Sequence, residues 1–315
     1  MLSSTPTRMP ADTSNPQLGW NLAHDVSQVL EFHFMVNALL AGGVVAVMSG
    51  LVGWLMVVRG ETFAGHTLSL MAFPGASAAA LAGIPAVWGY FALCCAGAVA
   101  IGGAGGGRAI WSEQSAAIGA IQATALAAGF LFVSLYGGVL GDLESLLFGN
   151  LLGVSDSQVL VLSAVALAAL GLLAAVGRPL LFASVDPDVA AARGVPVRAL
   201  AIAFLLLLGL AVAATSQVTG VLLVFALLVG PAASAQAITA RPALSLLLTI
   251  VLGLFVVWLG LGIAYFSVYP AGFYVATISF VVYLLARLSA GAHARLRRPG
   301  GEPLAPRPTQ RGVIA

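Results

Sequence analysis

The sequence predicts an all-α integral membrane protein, a polytopic bundle of eight or nine transmembrane helices with one short cytoplasmic helix set between two of them. Three observations carry this prediction. The 315 residues are 60% hydrophobic and only 8% charged, with a mean hydropathy of +1.04, whereas soluble domains carry about 25% charged residues. Apolar runs close to the ~20 residues that cross a bilayer recur along the whole chain. The arginines gather at alternate ends of those runs.

Nine runs qualify: 35–58, 63–83, 87–107, 115–136, 159–177, 199–216, 219–239, 243–266 and 272–288. The sixth and seventh lie so close together that they read equally as one interrupted unit, which leaves the count at eight or nine. Arg59 follows the first run and Arg108 the third; Arg178, Arg193 and Arg198 lie between the fifth and sixth. Arg241 separates the seventh from the eighth, and Arg287, Arg295, Arg297 and Arg298 end the ninth. With the amino terminus outside, all of these fall in the cytoplasm, as positively charged flanks do. The opposite side's longest loop, 137–158, carries only Asp142, Glu144 and Asp156. An odd number of spans then puts the carboxyl terminus inside. The chain divides into a polar tail at 1–34, a transmembrane domain at 35–288 and a basic, Pro/Gly-rich tail at 289–315 whose composition suits disorder beside anionic headgroups. The first 34 residues lack the basic start and apolar core of a cleavable signal peptide.

Small residues at four-residue spacing, Gly75/Ala79/Gly83 and Gly119/Ala123/Ala127, allow helices to approach closely in lipid. Pro74 and Pro231 fall inside apolar runs, where each removes a backbone donor. A helix broken there is tolerated where it lines a cavity, so Pro74, Gly75 and Pro231 are candidate pathway positions.

Between the fifth and sixth runs stands the polar island "LFASVDPDVAAARGVPVR", residues 181–198. Asp186 is suited to cap a helix, Pro187 to its first position and Asp188 to its first turn. Arg193 suits the last turn, Gly194 the position past the end and Pro196 the stop beyond. The spacing predicts a helix of about two turns over Pro187–Arg193, too short to stand without a surface to lie on. Such capping fits a docking helix, with Val189 and Ala190 to Ala192 offered to a soluble partner, and equally a well-ordered connecting loop.

Several chemistries are excluded. All 13 basic residues of the Lys+Arg count are arginine. Without lysine there is no Walker phosphate loop and no Schiff base, so ATP, if used, is hydrolysed by another chain. Cys94 and Cys95 sit side by side in an apolar run and read as core residues, not a disulfide framework. No hydrolase pair, intramembrane aspartate pair or zinc-protease motif lies in the runs. A secondary transporter driven by an ion gradient is the competing class, but its usual mid-span carboxylates are missing: Glu61 and Glu113 stand at run edges.

The island "SVDPDVAAARGVPVR" resembles the coupling segment of permease subunits in ATP-binding-cassette importers of zinc and manganese, with its D-P-x-x-A-x-x-x-G-x-P pattern. "VVRGETFAGHTLSLMAFPGASAA", "ESLLFGNLLGVS" and "VTGVLLVFALLVGPAASA" are similar to three further segments of that family, in the family's order, over roughly residues 35–288. The resemblance implies that Asp186, Pro187, Asp188, Ala191, Arg193, Gly194 and Pro196 meet an ATPase subunit. It implies two permease copies in the membrane, an ATPase using ATP and magnesium below them, and a metal-binding protein outside. The chain itself would bind no cofactor and contact no nucleic acid; the metal, or a chelated metal, would be substrate.

The family's pathway pattern, D-x-x-S-H before F/L-P-G, falls here on His66 and Leu70. A ligand-type residue stands at the first position and a leucine at the second. His66 is the one histidine inside an apolar run, since His24 and His33 precede the first and His293 lies in the basic tail. It is a candidate transient metal ligand, with a hydrogen bond to a neighbour such as Ser69 as the alternative. Asn37, Gln122, Gln217, Ser234 and Gln236 are polar positions that read first as hydrogen-bonding glue between helices.

Overall fold

The computed structural model describes residues 30–104, 111–136, 153–221, 223–267 and 269–296, together with single residues 28, 147 and 149. Glu144, Asp142, Arg108 and tail residues 1–27, 29 and 297–315 lie outside the described residues, as do the side chains of Glu113, His293 and Arg295. Ten helices are formed within them: α1 His33–Val58, α2 Thr62–Leu81, α3 Ala86–Ala104, α4 Trp111–Tyr136, α5 Asp156–Val185, α6 Pro187–Ala192, α7 Val197–Thr219, α8 Val224–Ile238, α9 Pro242–Tyr265 and α10 Ala271–Leu296. All but α6 overlap the nine predicted runs, but α5 continues eight residues past its run, through Arg178 and Pro179, and α10 continues eight residues past its run into the basic tail. Seven are long and apolar enough to cross a membrane by themselves; α2 and α8 are not among these, and α8 has only 15 residues. At 1.5 Å per residue α8 spans about 22 Å, short of a hydrocarbon core of about 30 Å.

The shortness of α8 has a counterpart in its entry. α7 ends at Thr219, Gly220 turns the chain at φ +76°, and α8 begins at Val224. Thr219, Val221 and Val224 are all buried, so the turn lies inside the bundle and not at its surface. Two of its described donors find carbonyls, Gly220 N–H on Ser216 O and Leu223 N–H on Gly220 O, and the turn is enclosed by protein. That satisfies the condition on which irregular backbone is tolerated at depth. Gly149, also at positive φ, packs against the backbone of Thr219 and Gly220, where a side chain has no room.

α1 and α7 form the centre, and both are largely buried. α2, α3 and α4 pack along one side of them, and α8, α9 and α10 along the other, while α5 runs against both central helices. Ser49 on α1 and Thr215 on α7 share a buried hydrogen bond of 3.0 Å at the centre. α4 and α5 keep most of their apolar surface on the outside, as lipid-facing helices do.

The prolines behave differently from the sequence expectation. α2 continues through Pro74 and α8 through Pro231, without interruption at either. One missing donor is a small loss within helices packed on both sides, and Ser77 Oγ donates to the Pro74 carbonyl at 3.2 Å. The interrupted backbone begins at Gly220, which provides the positive φ.

Gly75 has a contact role. A Cβ there would overlap the carbonyl of Gly89 on α3 and come within 2.9 Å of Leu93 Cβ, and Gly89 meets Gly75 in the same way. Gly119, the matching start of the second small-residue stripe, has nothing within 4 Å of a built Cβ. Gly83 serves the turn after α2, at φ +72°.

Candidate functional site

The polar island folds as an independent short helix. Asp186 ends α5 and caps α6: its carboxylate accepts the Val189 N–H at 3.0 Å, and Pro187 opens the helix. Asp188 stands in the first turn, where a negative charge complements the helix end. The helix closes one residue earlier than predicted. Arg193 is the C-cap, its N–H bonded to Val189 and Ala190 carbonyls, and Gly194 follows at φ +81° with its N–H on Ala191 O. Pro196 then precedes α7 as its N-cap.

Ala190 does not face outward. It is fully buried, because α6 lies against α5 and α7, and this supplies the surface that so short a helix needs. The exposed face is therefore narrower than Val189 to Ala192: Val189, Ala191 and Ala192 are exposed, with Asp186, Asp188, Arg193, Gly194 and Pro196 around them.

Two turns of chain separate the end of α1 from His66. Arg59 caps α1 and Gly60, at φ +69°, turns the chain. Glu61 then stands at the N-cap of α2, its carbonyl accepting Gly65 N–H at 3.0 Å. His66 follows in the second turn of α2, half-buried, with its ring edge-on to Phe225 of α8 at 4.9 Å between centroids. Its Nδ1 is buried and has no hydrogen-bond partner among the described residues. Ser69 is not that partner, since its hydroxyl donates to Gly65 O at 2.9 Å. Leu70 packs against the hydrophobic core. No group of three or more His, Cys, Asp or Glu side chains able to hold a metal occurs among the described residues. His66 thus offers one nitrogen beside the buried α7–α8 entry, and not a closed coordination sphere.

The remaining polar candidates separate by what they touch. Asn37 on α1 donates to Asp156 at 2.6 Å and to Val154 O at 3.4 Å, joining α1 to the start of α5. Gln122 on α4 accepts from Thr67 on α2 at 3.0 Å, and Gln236 on α8 donates to Trp54 O on α1 at 3.1 Å. Gln217 and Ser234 bond back to carbonyls of their own helices, Ala213 O and Gly230 O. Cys94 is buried with its thiol toward Leu68 O, and neither cysteine is in a disulfide.

A charged cluster beside the island was visible in the sequence only as a topology marker. Arg59 donates to Glu61 Oε1 through Nε at 3.0 Å and Nη2 at 2.7 Å, and through Nη1 to Ser184 Oγ at 3.0 Å. Its guanidinium lies 4.9 Å from the Phe204 ring centroid on α7. The side chains of Arg59 and Glu61 are 11% and 24% exposed. Burial raises the Glu61 carboxyl above its ordinary value, and the neighbouring Arg59 charge and hydrogen bond offset part of that rise. The signal available was "RGE": an opposite-charge pair two residues apart in a chain with few charges.

These features define a multi-pass helical membrane protein with a rigidly capped helix between two spans and a histidine beside a buried chain turn. The chain belongs to the ABC 3 transport family, whose sequence profile matches residues 31–290. It is 31% identical over 248 residues to the manganese transport system membrane protein MntC of Halalkalibacterium halodurans, covering 79% of this chain and 83% of that one. To the manganese import system permease protein ScaB of Streptococcus gordonii it is 30% identical over 268 residues, covering 85% and 95%. Its fold is similar to PsaBC from Streptococcus pneumoniae, solved in complex with Fab, with a TM-score of 0.75, 28% identity, and coverage of 84% of this chain and 95% of that chain.

Proposed function

We propose that this chain is the membrane-spanning permease subunit of an ATP-driven importer of a divalent metal ion, manganese or zinc. The observation that carries the reading is α6: a capped helix, anchored by Ala190 and exposed along Val189 and Ala191, between two spanning helices of an ABC 3 family chain. A separate ATPase subunit, using ATP and magnesium, docks on that face. Two copies of the chain form the pathway, a metal-binding protein delivers the ion from outside, and the amino terminus lies outside with the carboxyl terminus in the cytoplasm. The manganese systems among the relatives support the ion's class.

In this reading ATP binding below and substrate delivery above bias one alternating-access equilibrium. α6, tied to α5 and α7 without an intervening flexible loop, moves as part of the bundle. His66 acts as a transient ligand: a single imidazole nitrogen suits manganese, ferrous iron or zinc and holds them weakly. Passage needs weak holding, since an ion bound tightly does not leave.

The test is cellular metal content by elemental mass spectrometry in a deletion strain, the complemented strain and a His66→Ala strain, each under manganese and zinc limitation. A selective fall of one metal, restored by the wild-type gene and restored poorly by His66→Ala, is the expected result. No change in any metal, with the protein present in the membrane, refutes metal import. Full restoration by His66→Ala removes that residue from the pathway.

A further inference from the structure

The Arg59 cluster joins three parts of the molecule that are distant in sequence. Ser184 is in the last turn of α5, two residues before the cap of α6, and its hydroxyl also donates to Leu180 O at 2.6 Å. Glu61 is the N-cap of α2, five residues before His66. Phe204 belongs to α7, which leaves the other end of α6. A single guanidinium therefore touches the segment entering α6, the helix leaving it and the start of the helix that carries His66. Its planar fork can hold the carboxylate and the hydroxyl at once while stacking on the ring, which a lysine ammonium cannot.

The charges make this contact hard to replace. Glu61 Oε1 receives both Arg59 donors, while Oε2 is buried without a hydrogen-bond partner among the described residues. The carboxylate thus relies on Arg59, and separating the two leaves a buried charge uncompensated. Gly60, at positive φ, allows the short α1–α2 connection to bring Arg59 and Glu61 face to face. When the end of α5 moves, α2 must follow or the cluster must come apart.

We propose that Arg59 is a positioning residue for transport: by clamping Ser184, Glu61 and Phe204 together it carries displacement of the α6 segment to the start of α2 and so to His66. The proposal rests on the importer reading above, and it assigns the coupling path to side chains outside α6. Ser184→Ala removes the α5 contact and leaves the Arg59–Glu61 pair intact; Ser184→Thr restores the hydroxyl; Arg59→Lys keeps the charge without the fork.

The measurement is metal transported per ATP hydrolysed by the complete complex in proteoliposomes, with complex yield and thermal stability followed in parallel. Ser184→Ala and Arg59→Lys are expected to lower that ratio about two- to thirtyfold, the range for changes along a coupling network, while hydrolysis and assembly persist and Ser184→Thr recovers the ratio. If Arg59→Lys does not assemble, Ser184→Ala and its threonine rescue decide the matter. A wild-type ratio in Ser184→Ala overturns the clamp while the wild-type complex still couples. A wild-type complex that does not couple hydrolysis to uptake overturns the importer reading, and the clamp with it.

Discussion

Adding one methyl group at Gly75 separates a packing account of this bundle from a compositional one. α2 and α3 meet there backbone to backbone, Gly75 against Gly89, so a Cβ overlaps the Gly89 carbonyl and crowds Leu93 Cβ at 2.9 Å. Ordinary contact begins near 3.4 Å. Relief therefore requires the two helices to part by about 1 Å, and a radial gap of that size forfeits up to about half of each affected dispersion contact. Overpacking of this kind costs about 1–3 kcal/mol, against which alanine's better helix propensity returns up to about 1 kcal/mol. With that offset taken in full, Gly75→Ala is expected to destabilise the protein by up to about 2 kcal/mol. Gly119→Ala and Gly171→Ala, where nothing lies within 4 Å of the added atom, keep only the propensity gain and become more stable by up to about 1 kcal/mol. Thermal unfolding of the purified protein in detergent, followed by tryptophan fluorescence, reads the sign. Equal shifts at the three positions, or a rise in stability for Gly75→Ala, refute the backbone contact between α2 and α3.

Two further outcomes follow from the capped helix and the buried acid. Asp186→Ala deprives the Val189 N–H of its acceptor and should cost about 1 kcal/mol, the usual loss of an N-cap; hydrogen exchange of the Val189 amide should quicken, whereas Asp186→Asn, which keeps a capping oxygen, should retain most of its protection. Glu61 has its carboxyl raised above 4.5 by burial, with Arg59 offsetting part of the rise, so the folded state binds a proton more tightly than the unfolded one. Stability therefore falls as pH rises from the ordinary value through the raised one and levels off above it. Glu61→Gln should flatten that slope in melting temperatures taken from about pH 4 to pH 7, and an unchanged slope assigns it to other groups.

What could be read in the sequence is what depends on neighbours along the chain. Hydropathy runs, arginines at alternate ends, and the order Asp186, Pro187, Asp188, Gly194, Pro196 express bilayer thickness, topology and local capping, each acting within a few residues. The nine other helices and α6 accordingly overlap the stretches the pattern marks, with α5 and α10 running on past their apolar runs and α6 a residue shorter at its end.

Tertiary structure decided what those helices do to one another. In lipid a span is apolar on its outer and inner faces alike, so hydrophobic periodicity cannot say which side meets protein. Two stripes of small residues look the same in sequence, yet Gly75 meets Gly89 while Gly119 meets nothing within 4 Å. Pro74 and Pro231 read as breaks but lie in continuous helices, and the interruption falls at Gly220, whose N–H is bonded to Ser216 O at the start of a buried turn. Arg59 reads as a cytoplasmic marker, and only folding sets Ser184, 125 residues away, 3.0 Å from its guanidinium. A hydrogen bond across that distance in sequence leaves no periodic trace, because it depends on where two helix ends arrive and not on how either helix forms.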